Sequence, residues 1–346
     1  MDSGRRRLLL QALGAVGAIR FPVRAWAERR RVLGEASDLR QAPSGGERDG
    51  DLSRWLLSMR VGAAAAHGSL LAFWLAGKDQ PAKLDIITLD EARKSGTLVI
   101  AERAQATVPE LIVDNRGKVP VLLLAGEILV GGKQNRVLIE DLLLPPLSGV
   151  RPLGVYCVEQ GRWNEGSLEF LSKGSFAQPQ LRSKLLEGAG QRQVWDSVAQ
   201  ASRQYLAAPS PTQSYQAIYD DPRIRARADE VERAATLRPP ASVHGAAVFV
   251  GGTFSGLDLF DSPGLFAREW PKLLRAHALE TYLTNAPAGS ESAHRTHVHE
   301  LLTQAAGASG AHHGNAGIGR LFEFPLRTAR GSALLFEGRP IHAAIL

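Results

Sequence analysis

Residues 109–163 constrain the fold most. Apolar runs of strand length at 111–113, 121–124 and 153–158 are interrupted by Glu127, Gln134, Asn135, Arg136, Glu159 and Arg162. Such groups cost about 1–3 kcal/mol each when buried without partners. A β-framework that gathers them at one polar cluster accounts for both halves of the pattern. Within it, Asn115-Arg116-Gly117 predicts a turn, and Gly131-Gly132 predicts a two-residue hairpin loop with positive φ at both positions. That hairpin register sets Glu127 opposite Arg136 and Leu129 opposite Gln134. Residues 153–160 alternate, so Leu153, Val155, Cys157 and Glu159 share a face. Arg162 and Trp163 follow at the strand end, close enough to partner Glu159.

The flanking sequence extends this reading. From Leu52, short apolar runs separated by turn signals such as Gly77-Lys78-Asp79 and Lys94-Ser95-Gly96 suit an antiparallel sandwich or barrel. At Gln178 the apolar period becomes helical, marked by Leu181, Leu185, Val194, Val198, Ala201 and Tyr205, with a break at Gly188-Ala189-Gly190. Asp221-Pro222 and Ser262-Pro263 are helix starts. A helix near 291–305 precedes two or three strands, at 321–325, 333–336 and 341–345. The expected class is therefore α+β: an antiparallel sandwich- or barrel-like half, a helical segment, and closing C-terminal strands. One domain is expected over 51–346, β-rich to 165, mainly helical over 178–240, and α/β from 241.

The N-terminus reads differently. Arg5-Arg6-Arg7, a mildly apolar run to Ile19 and the small-x-small pattern Ala25-Trp26-Ala27 have the anatomy of an export signal of twin-arginine type. Residues 1–27 would be removed and 28–50 would form a polar tether, leaving a periplasmic or secreted protein with no membrane span. The formal charge of +6 then falls to +2, since the signal carries five Arg against Asp2. The basic balance is therefore no sign of nucleic-acid binding. Cys157 is the sole cysteine, which excludes an intrachain disulfide and a thiolate metal cluster.

The blocks LLLAGEILVGGKQNRV (122–137), YCVEQGRW (156–163), QVWDSV (193–198) and LDLFDSPGLFAREWPKLL (257–274) resemble one bacterial family. It is the ARG and rhodanese-phosphatase-superfamily-associated protein domain family, a domain of unknown function. The resemblance runs from about Val61 to the C-terminus. It implies association with ADP-ribosylglycohydrolase-type and rhodanese- or phosphatase-type proteins, and no particular reaction.

The candidate ligand-binding residues are Gln134, Asn135, Arg136, Arg162, Trp163 and, less directly, Asp258. Arg offers fork donors, Asn and Gln offer a donor and an acceptor, and Trp offers a stacking face. Glu127 and Glu159 are the candidate catalytic pair, as in carboxylate-based glycoside hydrolysis. The histidines at 294, 297, 299, 312 and 313 lack the order of a zinc hydrolase or a di-iron site, and neither metal nor cofactor is implied. The leading expectation is an exported protein that binds a polar small molecule or glycan. The alternatives are a sugar or phosphoester hydrolase using Glu127 or Glu159, and a structural or partner-binding protein.

Overall fold

The computed structural model describes residues 46–78, 84–103, 110–162 and 169–346. The export signal, most of the tether and Trp163 lie outside the described residues. The fold is α+β. Helix α1 (Gly50–Ser58) starts at Asp49, whose carboxylate accepts from the backbone N–H groups of Asp51 (3.0 Å) and Leu52 (2.8 Å).

Strands β1 (Arg60–His67) and β2 (Leu70–Ala76) form the first hairpin. They are followed by β3 (Ile87–Thr88), helix α2 (Leu89–Lys94), β4 (Leu98–Ala101), β5 (Glu110–Asn115), β6 (Val121–Leu123), β7 (Glu127–Gly131), β8 (Arg136–Leu138), β9 (Leu142–Leu144), β10 (Val150–Cys157) and β11 (Phe170–Phe176). Four helices come next: α3 (Pro179–Leu186), α4 (Gln191–Tyr205), α5 (Gln216–Asp220) and α6 (Pro222–Arg233). The remainder is β12 (Gly245–Val250), β13 (Thr253–Phe260), α7 (Pro263–Leu283), α8 (Glu291–Gly307), β14 (Ala311–His313), β15 (Arg320–Pro325), β16 (Arg330–Phe336) and β17 (Arg339–Ile345). None of the described helices is long and apolar enough to cross a membrane.

Three sheets result. The largest is antiparallel throughout, in the order β1-β2-β12-β13-β17-β16-β15-β14, so the first hairpin is built into the C-terminal sheet. The apolar sequence of β2 follows from this position. Leu70, Ala72 and Trp74 pack with Phe266, Trp270 and Leu273 of α7 on one face, while Leu71, Phe73 and Leu75 pack with α1 and α8 on the other. Each of the leucine and phenylalanine side chains, fully buried, contributes about 1.5–3 kcal/mol.

The second sheet, β11-β7-β8-β10-β5-β4, curls until a bridge between Ala101 and Glu169 joins its outer strands. Its inner face holds Leu111, Val113, Leu129, Val155 and Phe170, and its outer face packs Ile128 and Val137 on α3, α4 and α5. Strands β3, β6 and β9 make a small third sheet, with β3 and β6 parallel.

The β7–β8 connection departs from the sequence-based register. Ile128 pairs with Val137 and Leu129 with Arg136, so Glu127 does not face Arg136. Both glycines have positive φ, as expected (Gly131 140°, Gly132 51°). The turn nevertheless runs on to Asn135, because side chains close it. Asn135 Oδ1 accepts from the Gly131 N–H at 3.1 Å, and Glu102 Oε1 accepts from the Lys133 N–H at 3.2 Å.

Candidate functional site

The extended turn supplies one wall of a surface hollow of about 420 Å³. Its other walls come from residues 159–162, from Lys173 on β11, and from the segment 210–220 that leads into α5. That segment is stitched to the chain after β10. Tyr215 N–H donates to the Val158 carbonyl (2.8 Å), Gly161 N–H to the Thr212 carbonyl (2.9 Å), and Glu159 and Ser214 form a bridge. Glycine suits the close approach at 161, where an added Cβ would sit 3.0 Å from Thr212 Cα. Gln213 is held at φ 50°, a region that L side chains rarely adopt and that recurs at binding sites.

Glu159 and Arg162 form the hollow's charged core. Glu159 Oε2 accepts from Arg162 Nε (3.0 Å), Arg162 Nη2 (2.8 Å) and the Asn135 N–H (3.1 Å). The remaining guanidinium donors reach the carbonyls of Gly132 (2.7 Å) and Gly131 (3.2 Å) and Asn135 Oδ1 (3.1 Å). Asn135 Nδ2 donates to Ser214 Oγ at 3.0 Å, which ties the turn to the opposite wall. Burial opposes ionisation of Glu159, but hydrogen bonds from Arg162, Thr212 and Asn135 outweigh it and hold the carboxyl below its usual range. Ser210, Thr212 and Ser214 add three hydroxyls to the wall.

Gln134 and Arg136 sit beneath this surface. Gln134 Nε2 donates to the Gln160 carbonyl (3.2 Å), and Arg136, only 1% exposed, donates to the Gln134 carbonyl (2.9 Å) and to Glu102 (3.4 Å). They brace the turn rather than line the hollow. Cys157 lies opposite Arg136 on the neighbouring strand. Burial pushes its thiol up to about 11, which Arg136 only partly offsets, so it remains a protonated core thiol.

Glu127 lies elsewhere, in the core. It and Lys272 of α7 form an ion pair, and Lys272 Nζ also lies 3.0 Å from Glu269 Oε2 and 3.0 Å from Asp90 Oδ2. Burial, with Glu269 and Asp90 nearby, pushes Glu127 up to about 8 despite the lysine, and burial raises Glu269 as well. Burial alone would lower Lys272, but the three carboxylates outweigh it and raise the ammonium. One lysine cannot keep all of these acids ionised, so the cluster holds an extra proton near neutrality.

Asp258 belongs to a second buried array. Arg182 grips it with two bonds (3.0 and 2.5 Å), and His342 bridges it to Asp141 (Nε2 to Asp258 Oδ1 3.2 Å, Nδ1 to Asp141 Oδ2 2.6 Å). Burial disfavours the Asp258 carboxylate, yet Arg182 and His342 hold it far below the usual range. Burial alone would lower His342, but Asp141 and Asp258 raise it to about 9. The structure therefore brings Asn135, Glu159 and Arg162 together at one hollow, with Gln134 and Arg136 behind them. Glu127 and Asp258 occupy two core networks instead.

Sequence reasoning did not single out Lys173, Ser210, Thr212, Ser214 or Asp220 at the hollow, nor Lys272, Glu269, Arg182, Asp141 or His342 in the core. The alternate hydroxyls of Ser210-Pro211-Thr212-Gln213-Ser214 were one available signal, and Glu269 and Lys272, three residues apart beside an apolar stripe, were another.

Two other arrangements carry no chemistry. Ser255 Oγ lies 2.6 Å from His277 Nδ1, but Glu280 bonds the serine rather than the histidine, so the trio is not a nucleophile relay. Burial holds His277 down to about 4 and therefore neutral. His294 stacks on Phe249 at 4.1 Å, a packing role. Among the described residues no three His, Cys, Asp or Glu are arranged to hold a metal ion.

These groups set a pH profile. Glu127 keeps its proton in the fold up to about 8 against 4.5 in the unfolded chain, so its contribution is lost as pH rises through that window. His342, raised from 6.5 to about 9, contributes fully below 6.5 and loses it as pH rises through 9. His277, lowered to about 4, gives the opposite slope, but only between 4 and 6.5. Melting temperature is therefore expected to fall by several degrees from pH 6.5 to 9, and by less in Glu127→Gln. Scanning calorimetry across that range reads it, and equal slopes in the two proteins would refute the assignment.

Residues 58–346 match the ARG and Rhodanese-Phosphatase-superfamily-associated Protein domain, and the chain belongs to that family. No curated protein and no solved structure matches the chain.

Proposed function

We propose that this protein binds a polar, net-neutral small molecule or glycan in the hollow around Asn135, Glu159 and Arg162. The observation that carries the reading is a volume of about 420 Å³ walled by hydroxyl, amide and charged groups, within the size of ordinary small-molecule sites. The rigid Glu159–Arg162–Asn135 lattice presents donors and acceptors at fixed positions, which lowers the ordering cost of binding. The left-handed Gln213 beside it is a second pointer. We place this binding outside the cytoplasm, because of the twin-arginine-like start of the chain.

A hydrolase reading has less support. Arg162 keeps Glu159 ionised and fully engaged, which suits neither a general acid nor a free nucleophile. Glu127 is 2% exposed and paired with Lys272.

A thermal-shift screen of the full chain against sugars, amino acids, nucleotides and phosphate esters tests the binding reading. A ligand at a hundred times its Kd stabilises by about 2.7 kcal/mol, which moves the melting temperature by several degrees. Thr212→Val should weaken that ligand about tenfold and lower the unliganded melting temperature by a few degrees, because the hydroxyl also donates to the buried Glu159 carboxylate. A hit with equal affinity for wild type and Thr212→Val would move the site away from the hollow.

A further inference from the structure

The charges at the hollow fall into two sets. Glu159 and Arg162 cancel each other at the base, where all the guanidinium bonds go to the protein itself. The rim carries two more charges, Lys173 and Asp220, both exposed. Among the described residues no carboxylate lies within ion-pair reach of Lys173, and no cationic side chain lies within reach of the Asp220 carboxylate. Asp220 Oδ1 accepts one bond, from Gln216 Nε2 at 3.1 Å. Arg225 approaches the same residue but donates to its backbone carbonyl at 3.2 Å, leaving the acid uncompensated.

We infer that the ligand is a zwitterion carrying a carboxylate for Lys173 and an ammonium for Asp220, the chemistry of a free amino acid or short peptide. This deepens the binding reading of the same hollow and rests on it. A plain polyol could use the Ser210, Thr212 and Ser214 hydroxyls. It would, however, gain no charge attraction from Lys173 or Asp220, and any water it displaced from them would not be replaced by a counter-charge. A singly charged ligand satisfies one rim group and meets repulsion or an unpaired partner at the other. A ligand with both charges satisfies the two together. The engaged Arg162 explains why the acid end is read at the rim by lysine and not at the base.

Isothermal titration of the full chain with alanylalanine, its N-acetylated and C-amidated form, and a neutral disaccharide tests the inference. The expected result is binding of the zwitterionic dipeptide, at least tenfold tighter than the capped form or the disaccharide, and weakening as salt rises. Lys173→Gln and Asp220→Asn should each reduce dipeptide affinity about tenfold with unchanged melting temperature, since both side chains are exposed. Preference for the disaccharide, with both variants binding like wild type, overturns the zwitterion while leaving the hollow as a binding site. No binding by any of the three probes overturns the zwitterion too. Dipeptide binding undiminished in both variants overturns the roles of Lys173 and Asp220.

Discussion

Lys272→Met is expected to destabilise the protein by about 3–5 kcal/mol at pH 8, the range for removing one partner of a buried ion pair. The lysine is the one cation within ion-pair reach of Glu127 and Glu269 among the described residues, and both acids are almost fully buried. Without it, each must take a proton or remain as an unpaired charge in the core. The penalty should therefore shrink at pH 5, where protonation is nearly free. The double variant Lys272→Met with Glu127→Gln should recover part of the loss. Urea titrations at the two pH values measure all of this. A penalty independent of pH would mean that Lys272 acts through packing alone.

Arg182→Met is expected to cost a similar 3–5 kcal/mol, with a penalty that also grows as pH rises but through the higher window set by His342. Asp258 is held ionised far below its usual range by Arg182 and His342. Loss of the guanidinium leaves His342 to serve both Asp258 and Asp141, so stability should depend strongly on the imidazolium. The variant should lose stability steeply above pH 8, as His342 gives up its proton, and less at pH 6. Arg182 also lies over the Phe176 ring (5.0 Å) and packs against Gly126, so methionine, which keeps most of the aliphatic stem, is the appropriate replacement. Denaturation midpoints at pH 6 and 9 discriminate. A variant as stable as wild type at both would remove the array from the account of stability.

Much of the fold was legible because local chemistry marks it. Asp221-Pro222 and Ser262-Pro263 do begin helices, and the last three strands overlap the apolar runs at 321–325, 333–336 and 341–345. The position of β1 and β2 was not legible. Strand β2 pairs with β12 about 170 residues later, and β1 joins the sheet through β2; apolar periodicity carries no partner information across such a distance. The register of the β7–β8 turn was misread because Asn135, Glu102 and Arg162 close it through side chains. A rule built on Gly-Gly backbone preference does not see those contacts.

The candidate site divides along the same line. Asn135, Glu159 and Arg162 stood out as polar residues inside apolar strands, and all three line the hollow. Glu127 and Asp258 stood out for the same reason, but their partners lie on α7, on α3 and on β17. Only the packed fold brings Lys272, Arg182 and His342 to them. The hydroxyl wall at 210–214 left only its alternating hydroxyls as a signal, and loop composition alone does not say which cavity they face.

The most direct test of the central claim is a crystal structure of the full chain with the best ligand from the thermal-shift screen. The account predicts density among Asn135, Glu159, Thr212 and Ser214, with the Glu159–Arg162 pair unmoved. Ligand density seated on any other surface, with the hollow filled only by solvent, would contradict it.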